Sequence, residues 1–184
     1  MKNNTFLVAG IDKGSIVDGE GWRYVIFFQG CKHHCVGCHN PETWDFKHGE
    51  KMTPEDILND LEACNSNRFM DITFSGGDPF FQAEAILPLA KKLKSLGYNI
   101  WAYTGFNFDN FLEFKAQGFS KTTKGIEVNA QMIKLLTYID VVVDGEFEID
   151  KRTLDKTFMG SSNQRLIDVK KSIRNKKVVM YNIE

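Results

Sequence analysis

The sequence predicts an α/β protein whose mostly parallel sheet forms a partial, open βα barrel. Two patterns alternate along the 184 residues: short apolar runs rich in β-branched and aromatic residues, and helical segments with one apolar face. Strands separated by helices form parallel βαβ units with right-handed crossovers. Four or five such units are recognisable, which is too few for a complete eight-fold barrel, so we expect the sheet to remain open.

Four segments are predicted to be strands. Each is a short apolar run of the kind found in buried strands of parallel sheets. They are residues 24–29, 71–75, 99–104 and 140–144. Because ligands of parallel sheets bind beyond the carboxyl ends of the strands, the four loops that follow are expected to meet at one rim.

The segments between these strands are predicted to contain helices. Thr53 is expected to cap the first, with Pro54 at its first position and acidic residues in its first turn. A longer helix should end at Gly97, with Pro88 either starting its regular part or kinking it. Two shorter helices are predicted, one ending near Gly118 and one spanning residues 130–136.

Size and composition are those of a globular protein. The chain is 42% hydrophobic and 26% charged, and we expect one domain that spans residues 1–184. No apolar run approaches the length that spans a membrane, and residues 6–9 are too short for a signal-peptide core. Unpaired cysteines without an export signal favour a reducing cytoplasm.

The charge is unevenly distributed. Residues 151–184 carry nine Lys or Arg against three Asp or Glu, a balance of +6, so residues 1–150 carry −7 of the total of −1. A basic segment can bind an acidic partner or a nucleic acid, but it is more often a solvated face. We therefore expect no direct nucleic-acid binding.

Cys31, Cys35 and Cys38 form a CxxxCxxC pattern in one short loop after the first predicted strand. Three thiolates can hold a [4Fe–4S] cluster, which normally has four protein ligands, and would leave one iron open to a substrate or cofactor. The same cysteines with His39 could instead form a tetrahedral zinc site. A disulfide framework fits poorly, because three of the four cysteines crowd one loop and Cys64 is expected to be an inert helix residue. The spacing favours a cluster but leaves zinc open.

Other chemistry-bearing residues also follow predicted strands. Ser75-Gly-Gly-Asp-Pro79 follows the second strand, Tyr103 and Thr104 end the third, and Asp144-Gly145 ends the fourth. Their convergence with the cysteine loop on one rim strengthens the cluster interpretation.

Three motifs together resemble the radical S-adenosylmethionine superfamily: residues 27–31, residues 35–44 and residues 75–79. Within it, the sequence is similar to the activating proteins of anaerobic ribonucleoside-triphosphate reductase. The similarity spans about residues 10–168. It includes further segments at residues 15–21, 101–105, 143–145 and 160–164.

The resemblance implies an activity and its cofactors. Cys31, Cys35 and Cys38 would ligate one [4Fe–4S] cluster per chain, and the fourth iron would bind the amino and carboxylate groups of S-adenosylmethionine. One electron would cleave the cofactor to methionine and a 5′-deoxyadenosyl radical. That radical would abstract a hydrogen from a glycine Cα of the reductase and leave a glycyl radical. A flavodoxin- or ferredoxin-type protein would supply the electron, and no catalytic residue is expected beyond the cluster and cofactor.

The resemblance also implies cofactor-binding residues. Gly76 and Gly77 would let the backbone approach the cofactor, and Asp78 would place its carboxylate at the methionine ammonium group. Gly37 and His39 flank the last ligand and would contact the adenine side of the cofactor, and Cys38 between them is also a predicted cofactor-binding residue. Which residue packs on the adenine is left open.

Weaker candidates are Tyr103 and Asp144, which end two strands and are expected to line the pocket. His33 and His34 are expected to be solvated or supporting residues and not ligands.

Two alternatives remain at this point. The chain could activate another glycyl-radical enzyme, such as pyruvate formate-lyase, although its short length, Gly37 and residues 160–164 favour the reductase. From a different functional class, it could be a zinc-binding interaction module whose basic segment binds nucleic acid.

Overall fold

The strands of the protein form one mixed sheet. A computed structural model describes residues 4–183, and the sheet has seven strands within that range. They are β1 (Phe6–Ser15), β2 (Trp22–Phe28), β3 (Glu50–Met52), β4 (Met70–Gly76), β5 (Ile100–Tyr103), β6 (Val141–Asp144) and β7 (Arg165–Asp168).

The strand order is β3-β1-β2-β4-β5-β6-β7, so the sheet is not closed into a complete barrel. The central strands β2, β4, β5 and β6 are parallel to one another, whereas β1, β3 and β7 pair antiparallel at the two flanks. The α/β class and the open parallel sheet are thus confirmed, and the four central strands are the four that were predicted. The antiparallel flanks were not predicted.

Five α-helices lie in the described range: α1 (Pro54–Cys64), α2 (Ala83–Ser95), α3 (Phe108–Gln117), α4 (Ala130–Leu136) and α5 (Val169–Asn175). Thr53 caps α1 in a reciprocal arrangement, since its hydroxyl accepts from the Asp56 amide and the Asp56 carboxylate accepts from the Thr53 amide. Pro88 lies inside α2. Gly118 ends α3 in the left-handed conformation, with φ at 80°.

The two faces of the sheet are covered differently. Because side chains alternate along a strand, Val142 points to the opposite face from Val141 and Val143. Val142 belongs to the large core that includes apolar residues of α1 to α4, whereas Val141 and Val143 pack in a small cluster with Trp101 and Leu166. The second face, which we call the inner face, therefore lies away from the main helix layer.

A buried arginine fills part of the inner face near the amino-terminal ends of the parallel strands. Arg23 donates from Nη2 to the Ile72 carbonyl at 2.5 Å and from Nε to Thr73 Oγ1 at 3.0 Å, and its guanidinium lies 5.4 Å from the Trp101 ring centroid. Burial lowers the pKa of Arg23 to about 10. These contacts fill the inner face at the amino-terminal ends of the strands, so that space for a ligand remains at their carboxyl ends.

The basic C-terminal segment is partly built into the sheet. Strand β7 pairs with β6, and Lys170 Nζ lies 2.9 Å from Asp140 Oδ1. Some of its positive charge is therefore used in ion pairs within the chain. Among residues 4–183, no helix combines the length and apolar character required to cross a membrane.

Candidate active site

The cysteine loop begins where β2 ends. Cys31 is buried, Cys35 and Cys38 are half-buried, and all three are free thiols. The Cys31 amide donates to the Trp44 carbonyl at 3.1 Å, and the Cys38 amide donates to the Cys35 carbonyl at 3.1 Å. These bonds fold the loop back over the end of the sheet.

The environment of the thiols disfavours isolated thiolates. Burial, reinforced by the charge of Asp78, raises the pKa of the Cys31 thiol to about 12. Burial, followed by the charge of Glu146, also raises the pKa of Cys35. A bound metal cation would offset the cost of deprotonating both thiols, because it stabilises the thiolates that ligate it.

A cavity of about 210 Å³ lies between the cysteine loop and the carboxyl ends of the four parallel strands. The loops that follow β2, β4, β5 and β6 all contribute to its wall, as expected from the sheet geometry. Its wall includes Cys31, Cys35, Cys38, Gly76, Gly77 and Tyr103. The four loops therefore meet at one rim, as predicted from the sequence, and the cavity lies at that rim.

The two glycines after β4 are required first by packing between strand ends. Gly76 has φ at 96°, and an added Cβ there would lie 2.5 Å from the Phe28 amide nitrogen. An added Cβ at Gly77 would lie 2.6 Å from the Gly30 carbonyl oxygen. The close approach that these glycines permit is therefore to the backbone leading into the cysteine loop, while both also line the cavity.

The carboxylate of Asp78, which the resemblance places at the methionine ammonium group, is enclosed in the structure. Its side chain is 0% exposed and is not part of the cavity wall. One carboxylate oxygen accepts from the Phe80 amide at 2.9 Å. The other accepts from Thr104 Oγ1 at 2.7 Å and from the Gly105 amide at 3.0 Å. The carboxylate is directed into the protein, where it joins the ends of β4 and β5.

His33 completes the surroundings of that carboxylate. Its imidazole is 1% exposed, with Nε2 at 3.1 Å from Asp78 Oδ2 and Nδ1 at 3.2 Å from Glu146 Oε1. Burial alone would lower the pKa of His33, but the hydrogen bond and charge of Asp78, together with Glu146, raise it. His33 is therefore buried and doubly paired, not solvated, whereas His34 is exposed and stacks on Trp44.

Asp144 also differs from its predicted role. It is fully buried and absent from the cavity wall. Its carboxylate accepts from the Phe108 amide at 2.7 Å, at the first residue of α3, and from Arg165 Nε at 3.0 Å. The residue fastens α3 and β7 to the end of β6, and Gly145 after it lines the cavity.

Tyr103 does line the cavity, together with Asp18 from the loop between β1 and β2. Burial, with the charge of Asp18 as a smaller contribution, raises the pKa of Tyr103, so the phenol stays protonated. The Asp18 carboxylate accepts from Ser15 Oγ at 2.5 Å. Asp18 and Glu146 are the carboxylate side chains in the wall of this cavity.

The two residues that flank the third cysteine differ in position: one lines the cavity, and the other packs outside it. Cys38 and His39 line the cavity, and the His39 ring lies 4.8 Å from the Phe147 ring. Gly37 is not part of the wall. It has φ at 75°, and an added Cβ would lie 2.8 Å from Ile149 Cδ1, so its absent side chain allows the loop to turn beneath Ile149.

Several wall residues were not predicted individually. The side-chain oxygen of Gln164 accepts hydrogen bonds from the amides of Gly160 and Ser161, and its side-chain nitrogen donates to the Gly145 carbonyl at 3.0 Å. Residues 160–164, which end in Gln164, resemble the corresponding segment of the family, and this resemblance is the only local sign of their role. Glu146 had no local signal, because its partner His33 lies 113 residues earlier.

Among residues 4–183, no group of three His, Cys, Asp or Glu side chains is arranged to hold a single metal ion. The three thiols instead lie around one cavity. Soft thiolate donors of this kind suit an iron–sulfur cluster, in which each cysteine ligates a different iron.

Comparisons with known proteins agree with this donor set. The family model described as a 4Fe-4S single cluster domain matches residues 17–167. A protein of Haemophilus influenzae named anaerobic ribonucleoside-triphosphate reductase-activating protein is 31% identical over 156 residues, covering 81% of this chain and 89% of that protein. A protein of Pasteurella multocida with the same name is 35% identical over 157 residues, covering 81% and 89%.

Among solved structures, QueE from Escherichia coli matches with a TM-score of 0.47 and 14% identity, covering 76% of this chain and 70% of that chain. A likeness this distant carries no conclusion about the present chain.

The matched range contains the cysteine loop, the glycine turn at Gly76 and Gly77, and Gln164. A 4Fe-4S family decides between the two metal sites that cysteine spacing left open, in favour of the cluster. The identities and coverage confirm the resemblance identified from the sequence motifs. The chain belongs to the family of anaerobic ribonucleoside-triphosphate reductase-activating proteins.

Proposed function

We propose that this chain is an iron–sulfur activase that uses S-adenosylmethionine to generate a glycyl radical on anaerobic ribonucleoside-triphosphate reductase. The observation that carries the proposal is the placement of three free thiols in the wall of one cavity, at the carboxyl ends of the parallel strands. Membership of the reductase-activating family supplies the reaction and the partner.

Cys31, Cys35 and Cys38 are the proposed cluster ligands. They fit a [4Fe–4S] cluster because they are soft donors, are not engaged in disulfides and line the same cavity. Three protein ligands leave one iron for the amino and carboxylate groups of S-adenosylmethionine. Bound together at these residues, the cluster and S-adenosylmethionine would supply the one-electron radical chemistry by which a glycine of the reductase loses a hydrogen atom.

The remaining cavity residues position the cofactor and limit access of water. Gly76 and Gly77 present backbone to the cavity, and Tyr103 presents a protonated phenol. Glu146 is engaged by Lys124 Nζ at 2.6 Å, so Asp18 is the proposed acidic contact for the methionine ammonium. This assignment replaces Asp78, whose carboxylate is enclosed.

A glycine in another protein can lose its hydrogen only if its backbone segment reaches the cavity. The cysteine loop borders solvent at this point, since Val36 is 77% exposed and His39 is exposed. We propose that the reductase docks over this loop. Docking would exclude water and bring the glycine Cα close to the reactive carbon.

Two further parts of the proposal concern other partners. The electron donor is proposed to be a flavodoxin- or ferredoxin-type protein, and the four free thiols support a reducing compartment, the cytoplasm. Direct nucleic-acid binding is not proposed for residues 151–184. In support, Arg165, Lys170 and Lys171 are paired with acids of the same chain.

The test combines the anaerobically reconstituted protein with the reductase, S-adenosylmethionine and a reductant. The expected result is a glycyl radical signal in electron paramagnetic resonance, with deuterium from the target glycine Cα recovered in 5′-deoxyadenosine. A signal on pyruvate formate-lyase but not on the reductase would show that the partner is wrong. Cofactor cleavage without a radical on either protein would refute the activase function.

A further inference from the structure

We propose that His33 is a positioning residue, which fixes the cysteine loop to the ends of β4, β5 and β6 so that the thiols are held in place for the cluster. The proposal rests on the cluster-binding part of the proposed function and is independent of the reductase.

The polar contacts of His33 come from two different strand ends. Nε2 lies 3.1 Å from Asp78, which follows β4, and Nδ1 lies 3.2 Å from Glu146, which follows β6. The imidazole thus joins elements that are far apart in sequence. Since both nitrogens are engaged and the ring is 1% exposed, the ring orientation is defined.

The apolar contacts complete a socket around the ring. The Phe106 ring centroid lies 4.9 Å from that of His33, edge-on, and that of Phe81 lies 5.3 Å away. Gly105 forms the closest wall, because an added Cβ there would lie 2.5 Å from His33 Cδ2. The backbone after β5 therefore packs directly against this imidazole. Gly105 has no positive φ, and the space taken by His33 explains why a glycine is needed there.

The backbone of His33 is held as well as its side chain. Lys124, from the connection between α3 and α4, donates to the His33 carbonyl and also pairs with Glu146 at 2.6 Å. Cys31 lies two residues before His33 and Cys35 two residues after it. A displacement of residue 33 would therefore move two of the three proposed ligands.

The neighbouring His34 provides a natural comparison. It lies between the same two cysteines, but it is exposed, has φ at 49° and stacks on Trp44 with a centroid distance of 4.8 Å. Its contact does not reach the ends of β4, β5 or β6. If loop composition alone mattered, both histidines would matter equally for the cluster.

The test compares two perturbations of the socket with two matched controls. His33→Gln removes the imidazole, and Gly105→Ala intrudes on it without removing a polar group. His34→Asn changes the exposed histidine while tolerating its left-handed backbone, and Gly10→Ala adds a methyl where nothing lies within 4 Å. Each protein is reconstituted anaerobically without S-adenosylmethionine. The rate of iron loss to a chelator and the cluster midpoint potential are then measured at a temperature where every variant is folded.

We expect His33→Gln and Gly105→Ala to lose iron about tenfold faster than the wild type, because metal binding typically weakens by about that factor when residues that orient the metal ligands are removed or displaced. Their midpoint potentials should also shift, while His34→Asn and Gly10→Ala should match the wild type. A purely structural role would lower the unfolding temperature but leave both properties of the folded, loaded protein unchanged, and that result would overturn the proposal.

Glu146→Gln provides a second variant in case His33→Gln does not fold. It weakens the contact to His33 Nδ1 at a residue that is only partly buried. If His33→Gln fails to fold, unchanged iron loss and potential in Glu146→Gln and Gly105→Ala would still overturn the proposal. Failure of the wild type to take up iron would overturn the cluster itself. Cluster uptake without glycyl radical formation would leave the positioning role intact while refuting the activase function.

Discussion

Replacing Asp78 with alanine tests whether this carboxylate holds the protein together or binds the cofactor. Its two oxygens accept from the Phe80 amide, Thr104 Oγ1, the Gly105 amide and His33 at 2.7 to 3.1 Å, all in the interior. The Thr104 hydroxyl can rotate to another acceptor, but the other three donors are fixed. A buried donor left unpaired costs about 1–3 kcal/mol, so the loss of the acceptor for three fixed donors in Asp78→Ala should reduce the free energy of unfolding by about 3–9 kcal/mol.

This loss is a large fraction of the roughly 5–15 kcal/mol by which a typical domain is stable. It is measured by urea denaturation of the metal-free protein, followed by tryptophan fluorescence. Asp12→Ala, at an exposed position on β1, is the control and should change stability by less than about 0.5 kcal/mol. The structural interpretation fails if Asp78→Ala unfolds like the wild type while its loaded form binds S-adenosylmethionine weakly, because Asp78 would then be the ammonium contact.

Two further predictions concern the thiols and the response to acid. Alanine at Cys31, Cys35 or Cys38 should abolish the iron and sulfide content of the anaerobically reconstituted protein. Cys64→Ala, in α1, is the control and should retain both. Stoichiometric zinc in place of iron would contradict the cluster. Burial raises the pKa of Asp140, but hydrogen bonds from Lys94, Lys170 and the Ile100 amide outweigh it and lower that pKa below 3.8. The stability from Asp140 is therefore present above pH 3.8 and lost as the pH falls through the lowered pKa, so urea denaturation of Asp140→Asn should show lower stability at neutral pH and a smaller loss in acid.

The central part of the fold could be predicted from sequence because burial on both faces leaves a clear pattern. The segment predicted as a strand at residues 71–75 is β4 (Met70–Gly76), and the helix predicted at residues 130–136 is α4 (Ala130–Leu136). Each is an apolar run or an apolar stripe with recognisable ends. The parallel order follows from the intervening helices.

The flanking strands gave no such signal. In β1 the pairing with β2 shifts register between Val8 and Gly10 and again between Lys13 and Ser15, which breaks the alternation of buried and exposed side chains. β3 has three residues, none of them fully buried. Short or irregular flanking strands are stabilised by their neighbours in the sheet, and their own sequences do not reveal them.

The edge of the sheet at which the cavity lies was predictable, but the direction of the side chains at that edge was not. Strand order alone brings the cysteine loop and the glycine turn to one rim. Whether a polar residue on that rim faces the ligand or the interior depends on partners elsewhere in the chain. His33 illustrates the limit, since its carboxylate partners lie 45 and 113 residues away and leave no trace in the loop sequence.

Asp78 and Asp144 show why acidic residues at strand ends are weak evidence for ligand binding. Each is 0% exposed, and each accepts a hydrogen bond from an amide in the first turn of a helix. For Asp78 this is Phe80, in the short 3-10 helix Pro79–Gln82 that follows it directly. For Asp144 it is Phe108, the first residue of α3, which follows the neighbouring strand β5. Each also takes a donor from a neighbouring segment, Thr104 for Asp78 and Arg165 for Asp144. Helices begin at the carboxyl edge of a parallel sheet and their first amides lack partners, so an aspartate at this edge can satisfy them, whether the helix follows its own strand or a neighbouring one. The same position that offers a carboxylate to a ligand therefore offers it first to the fold, and substitutions at Asp78 or Asp144 should affect stability before they affect affinity.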